Sequence, residues 1–178
     1  MGNLAHALIA DDVARFAMLG WRNSLSRAVL ECGTEMDVAP LTFGEGRCVV
    51  RNALVWHQRL RDFKIRQCFY NSQFVALNQV RRSLEYCEGF YASEDLPFAA
   101  QHAWLRINGK VVDLTARNRG ERRGFDYFGV VVPVELLRRH VMKTKFWSPV
   151  LEGPFSLKFF QSLGVEMADG GKPQPVRS

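Results

Sequence analysis

Residues 102–115 read His102-Ala103-Trp104-Leu105-Arg106-Ile107-Asn108-Gly109-Lys110-Val111-Val112-Asp113-Leu114-Thr115. Two runs of strand-forming residues flank Asn108-Gly109, a pair that accepts the two positive φ angles of a tight hairpin turn. With that turn, Ile107 faces Lys110, Arg106 faces Val111, Leu105 faces Val112, Trp104 faces Asp113 and His102 faces Thr115. Opposed residues share a sheet face. His102, Trp104 and Arg106 therefore lie with Val111, Asp113 and Thr115. His102 and Asp113 become diagonal neighbours about 7–8 Å apart at the backbone, within reach of an imidazole–carboxylate hydrogen bond. A turn one residue longer would put them on opposite faces.

An imidazole held by a carboxylate has its tautomer chosen and its protonated form stabilised. The free ring nitrogen can then take a proton from a thiol. Upstream, Arg66-Gln67-Cys68-Phe69-Tyr70-Asn71 opens a segment whose spacing predicts a helix over 68–83, with Tyr70, Phe74, Leu77 and Leu84 as its apolar stripe. A thiol at a helix start has its anion favoured by the helix dipole and by a nearby imidazolium. The unpaired N–H groups of the first turn can hold an oxyanion, and Gln67 is a candidate side-chain donor to the same oxygen. Taken singly, each residue has a plainer reading: a lone cysteine is usually a small buried hydrophobe, and a strand histidine is usually structural. Cys32, Cys48 and Cys87 are rival nucleophiles, but Cys48 and Cys87 sit in apolar runs and Cys32 lacks the helix-opening position.

The rest of the chain has an α+β order. Residues 4–31 carry helical periodicity, broken near Gly20 and Asn23, and residues 32–46, with their glycines and Pro40, read as a loop. Residues 48–63 read as a helix. Tyr86 to Ala92 reads as a strand in which Gly89 marks a close backbone approach. Phe125 to Val132 is a further strand, Pro133 suits the first position of a helix running to Val141, and 146–154 is an aromatic loop. A short helix is expected at 155–162. The whole reads as one domain over 1–165, with a helical part at 1–60, a catalytic core at 66–132 and a flexible tail at 166–178.

Composition narrows the function classes. The 178 residues are 47% apolar and 24% charged, which is globular. No apolar run reaches the roughly 18 residues that cross a bilayer, so no membrane partner is expected. Asp11 and Asp12 stand where a signal peptide keeps an apolar block, which points to the cytoplasm. Four widely spaced cysteines, none in a C-x-x-C pair, argue against a metal clip and for reduced thiols. Much of the net charge of +6 lies in Arg117, Arg119, Arg122 and Arg123 and in the stretch from Arg138 to Lys145. The plain reading is a solvated surface; the sharper one is a patch that steers an acidic partner. No nucleic-acid recognition motif accompanies it.

Gln67-Cys68-Phe69, Tyr86-Cys87-Glu88-Gly89-Phe90, His102-Ala103-Trp104 and Asp113-Leu114-Thr115, in that order, resemble the core of the transglutaminase-like superfamily in its compact microbial or phage form. The resemblance covers about residues 66–116, extending toward 132. Two departures are Leu114, where the family has proline, and Phe69, where it has tryptophan. The resemblance implies a papain-like fold with N-terminal helices before an antiparallel sheet. It also implies acyl-thioenzyme chemistry on a protein or peptide amide, without metal or cofactor. Cys68 would be the nucleophile, His102 the general base and acid, Asp113 the orienting acid and Gln67 the oxyanion support. Trp104, core in either reading, and Arg117, Arg122 and Arg123 are the candidate substrate-binding residues. The alternative is a non-catalytic binding protein whose basic loop engages an acidic protein or nucleic acid.

Overall fold

The computed structural model describes residues 3–18, 24–39, 42, 45, 67–78, 84–93, 96–115 and 126–165. The expected helix at 48–63, the arginine loop at 116–124 and the tail at 166–178 lie outside the described residues. What is described is α+β: helices first, then an antiparallel sheet.

Helix α1 (Leu4–Met18) and helix α2 (Ser24–Cys32) carry the N-terminal helical pattern. The Asn3 side chain accepts the His6 amide at 3.0 Å, as an N-cap does, and the Leu4 amide donates to Asp126 Oδ2 at 2.6 Å. Ala5, Ile9, Ala28 and Val29 bury the inner side of this pair. Strand β1 (Thr34–Met36) follows at once, although the glycine and proline content of 32–46 had suggested only loop. It forms because an edge of the sheet is available to it: Thr34, Glu35 and Met36 pair with Gly129, Phe128 and Tyr127.

Helix α3 (Cys68–Leu77) starts at the cysteine, and Asn78 stands just past its last turn. Strands β2 (Leu84–Ala92), β3 (Ala100–Ile107), β4 (Lys110–Val112) and β5 (Asp126–Val132) complete the sheet in the order β1-β5-β2-β3-β4. The hairpin register is the expected one, with Leu105, Arg106 and Ile107 opposite Val112, Val111 and Lys110. Asn108 and Gly109 both take positive φ, 49° and 81°. Strand β4 ends at Val112 rather than continuing to Thr115. Asp113 turns back on itself there, its Oδ1 accepting the Thr115 amide at 2.7 Å, and this local bond replaces the ladder. Helix α4 (Val134–Thr144) begins after Pro133, not at it, because Pro133 keeps an extended ψ of 135°. A 3-10 turn (Val150–Glu152) lies within the expected aromatic loop, and helix α5 (Ser156–Ser162) packs Phe159 and Phe160 into the core.

The two sides of the sheet carry two cores. The larger one joins the helices to Tyr86, Phe90, Leu105, Val112, Phe128 and Val130. The smaller one is Met36, Cys87, Trp104 and Tyr127, with Tyr91, Val111 and Val131 beside it. The sheet curls around this second cluster until its edges touch, where the Val111 amide donates to the Asp37 carbonyl at 2.7 Å. The two strands approach closely where Gly89 pairs with Gly129. A Cβ on Gly129 would lie 2.4 Å from the Glu88 carbonyl and 2.8 Å from Trp104 Cη2. Gly89 is thus the close-approach residue its strand context suggested.

Helix α3 packs with the opposite side inward from the one its apolar stripe predicts. Tyr70 and Phe74 are half-buried on the outer side, where Trp147 meets them at 5.3 and 5.9 Å, while Leu77 is half-buried against the larger core. The inward side is Asn71, Ser72 and Gln73 with Val75 and Ala76. A buried polar face is costly unless its groups find partners, and here all but Gln73 Oε1 of the side-chain groups on Ser72 and Gln73 do. Ser72 Oγ donates to the Ala103 carbonyl at 3.0 Å, and Gln73 Nε2 donates to Tyr86 Oη at 3.0 Å and to the Ser148 carbonyl at 2.8 Å. Leu84 belongs to β2, not to this helix.

The network continues to Glu88, which is fully buried. The Tyr86 hydroxyl donates to Glu88 Oε1 at 2.5 Å, and the Val150 and Leu151 amides donate to its two oxygens at 2.8 and 3.0 Å. Burial pushes the Glu88 carboxyl up to about 7 against the pull of these donors. The unfolded chain gives up this proton near 4.5, whereas the folded chain keeps it until about 7. Folding therefore binds a proton across that window, and stability from this residue falls as pH rises through it. Urea unfolding at a series of pH values from 4 to 8 should show that fall in the native chain and lose it in Glu88→Gln. Equal pH slopes in the two proteins would rule the assignment out.

Candidate active site

Cys68, His102 and Asp113 come together at one rim of the curled sheet. Cys68 is the first residue of α3 and is half-buried. The first helical bond runs from the Asn71 amide to the Gln67 carbonyl at 2.9 Å, so the amides of Cys68 and Phe69 stand ahead of the helical ladder. His102 lies near the start of β3, opposite Gly89 of β2, so no side chain on that partner position crowds the ring. Asp113 follows β4.

The acid and the ring are joined directly. His102 Nε2 and Asp113 Oδ2 are 2.5 Å apart, and both residues are buried. Nδ1 is then the ring nitrogen left to the thiol, and the Cys68 side chain hydrogen-bonds to His102. Burial works against a charge on the imidazole. The hydrogen bonds from Asp113 and Cys68 and their negative charges outweigh it and raise His102 to about 9. The ring thus carries its proton at neutral pH, with a carboxylate on one side and sulfur on the other.

Neighbouring rings fix the imidazole. Tyr91 lies over it at 4.6 Å between centroids, and Trp104 and Tyr127 are each at 6.3 Å. Trp104 is fully buried in the curl, packed edge-on against Tyr127 at 5.1 Å. The expectation that it touches substrate is therefore corrected: its place on the inward face puts it behind His102, as core. Gln67 is exposed beside the thiol, and its side chain makes no capping bond with α3. Arg117, Arg122 and Arg123 lie outside the described residues.

Three contributors escaped the sequence reading. Tyr127 donates its hydroxyl to Asp113 Oδ2 at 2.8 Å. Thr115 holds Asp113 Oδ1 through its amide, and its hydroxyl accepts from Asn71 Nδ2 at 3.0 Å. Asn71 thereby ties the helix that opens with Cys68 to the turn that carries Asp113. Asp-x-Thr, a pattern in which an aspartate accepts the amide two residues on, was the available signal for Thr115. Nothing local marks Tyr127 or Asn71, because their partners are distant in the chain.

The other described thiols are poor rivals. Burial pushes Cys87 up to about 12, and burial with the charge of Glu31 raises Cys32, whose Sγ is 3.1 Å from the Ala28 carbonyl. Cys48 lies outside the described residues. Cys32, Cys68 and Cys87 are all free. Among the described residues no cluster of histidine, cysteine and acidic side chains could hold a metal, and no helix is long and apolar enough to cross a membrane. No family model matches the chain, and neither a curated protein nor a solved structure does.

The Asn71–Thr115 bond yields a direct test. Asn71→Ala leaves a buried hydroxyl short of a donor and should cost about 1–3 kcal/mol in urea unfolding. A loss below about 0.5 kcal/mol, the scatter of an ordinary surface substitution, would mean that this bond does not hold the helix to the turn.

Proposed function

We propose that the protein is a cysteine-dependent amide hydrolase or acyltransferase of transglutaminase-like, papain-like type. The observation that carries this reading is the unbroken chain of contacts from Asp113 through His102 to Cys68. A thiol, a base and an orienting acid in that order are the requirements of a covalent thiol mechanism. The half-exposed position of Cys68 at a helix start supports it, since a nucleophile must be reachable and its anion favoured.

In this mechanism His102 Nδ1 holds the proton taken from Cys68. The thiolate attacks the carbonyl carbon of a peptide or carboxamide, and the carbonyl π electrons move to oxygen. The Cys68 and Phe69 amides, ahead of the helical ladder, would donate to that oxyanion, with Gln67 as a further donor. The tetrahedral species collapses as the imidazolium gives its proton to the departing nitrogen. An acyl-thioester and a free amine or ammonia result. Water or a second amine, deprotonated by His102, then attacks the thioester and releases the thiol. Asp113 stays ionised throughout and keeps Nε2 as the protonated nitrogen. The substrate is a protein or peptide, and the steps use side chains and backbone amides of this chain. A binding-only role would rest on Arg117, Arg122 and Arg123, which lie outside the described residues.

Two measurements test this proposal. At pH 6, iodoacetamide should alkylate Cys68 on the order of tenfold faster than a model thiol, as a nucleophile paired with an imidazole requires. Peptide mapping separates it from Cys32, Cys48 and Cys87. Incubation with glutamine-containing peptides, with and without a primary amine, should then give deamidated, amine-linked or cleaved peptide by intact mass, and Cys68→Ser should give none. A Cys68 no more reactive than a model thiol would refute the mechanism.

A further inference from the structure

We infer that Tyr127 is a positioning residue for this chemistry, which tunes the grip of Asp113 on the His102 ring by sharing the same carboxylate oxygen. The inference rests on the thiol mechanism proposed above. Its basis is a coincidence of two bonds on one atom. Asp113 Oδ2 meets His102 Nε2 at 2.5 Å and accepts the Tyr127 hydroxyl at 2.8 Å. The other oxygen, Oδ1, accepts the Thr115 amide at 2.7 Å.

Two donors on one oxygen compete. Each hydrogen bond to a carboxylate draws off negative charge and lowers its basicity. The amide on Oδ1 orients the group. The phenol on Oδ2 acts directly at the point where the imidazole bonds, and as a neutral donor it weakens the attraction for the imidazolium without cancelling it. That balance matters to the reaction. A carboxylate that holds the imidazolium too strongly leaves His102 unable to pass its proton to the departing nitrogen. One that holds it too weakly loses the ion pair with Cys68.

The tyrosine is built to hold this position. Tyr127 is buried on the inward face of β5, paired with Met36 of β1 and Tyr91 of β2. Its ring packs edge-on against Trp104 at 5.1 Å and stacks near Tyr91 at 6.3 Å, and its carbonyl accepts from Asn3 Nδ2 at 3.3 Å. The hydroxyl therefore has little freedom to leave Asp113. The titratable groups facing the imidazole are Cys68 of α3, Tyr91 of β2, Asp113 after β4 and Tyr127 of β5; Glu88 and Tyr86 alternate onto the opposite side of β2.

The test is the His102 titration in the full chain, followed by nitrogen-15 NMR of labelled histidine, beside the pH profile of Cys68 alkylation. Tyr127→Phe removes one hydroxyl and keeps the ring packing. It should raise the His102 titration by about half a unit, roughly a threefold gain in proton affinity. The alkaline limb of Cys68 alkylation should move the same way. If Tyr127→Phe does not fold, 3-fluorotyrosine installed at position 127 retains the packing and is a stronger donor. It should shift His102 in the opposite direction, downward. A purely structural role moves neither titration. Fast alkylation of native Cys68 with an unmoved His102 in either variant overturns the role of Tyr127 alone. A native Cys68 no faster than a model thiol overturns the thiol mechanism itself, and with it the reaction Tyr127 would serve.

Discussion

Three adjacent polar residues, Asn71, Ser72 and Gln73, turned into the interior, impose the constraint on which the arrangement depends. A buried polar group left unpaired costs about 1–3 kcal/mol, more than a satisfied one contributes. Helix α3 can therefore sit only where all three find partners. Those partners lie on four different segments: Thr115 after the hairpin, the Ala103 carbonyl within β3, Tyr86 in β2 and the Ser148 carbonyl after α4. Meeting all three fixes the helix in rotation and in height. Cys68 at its first turn is thereby brought to the ring of His102, one residue from Ala103. An apolar inner face would hold the helix as firmly, yet it would tolerate sliding that these bonds forbid.

The curl of the sheet supplies the second half of the geometry. A flat sheet would leave His102, Trp104 and Asp113 on an open face. Here Gly89 and Gly129 let β2 and β5 approach closely, the edges meet at Asp37 and Lys110, and Trp104 fills the hollow. His102 then sits at the rim with rings behind it and Asp113 beside it. The low-dielectric surroundings strengthen both of its bonds. The same burial opposes the imidazolium, so the charge survives only because an acid and a thiol are held against it. Structure and chemistry are coupled at this point: the bonds that position the ring are those that set its proton affinity.

The polar interior extends this logic away from the site. Glu88 anchors the 3-10 turn through two backbone amides, and Gln73 holds the Ser148 carbonyl nearby. Trp147, just before these anchors, covers Tyr70 and Phe74 on the outer side of α3. The helix is thus held from both sides, by hydrogen bonds within and by aromatic packing without.

Local chemistry determined a large part of this protein. Asn108-Gly109 dictated the turn, the turn dictated the register, and the two-residue period of a strand then placed His102 and Asp113 on one face. The helix that opens at Cys68 was equally legible, because it depends on neighbours in the chain. The inward side of α3 was not. Hydrophobic periodicity assigns the core to Tyr70, Phe74 and Leu77, and only partners more than ten residues away make the polar side the better one to bury. Strand β1 was hidden for the same reason, since Thr34 to Met36 become a strand only where β5 offers an edge. Tyr127 and Asn71 carry no local mark of their role, and Trp104 fills the core hollow formed by the curl of the sheet. Patterns within a few residues follow from backbone geometry, whereas hydrogen bonds across the fold exist only after the chain has closed on itself.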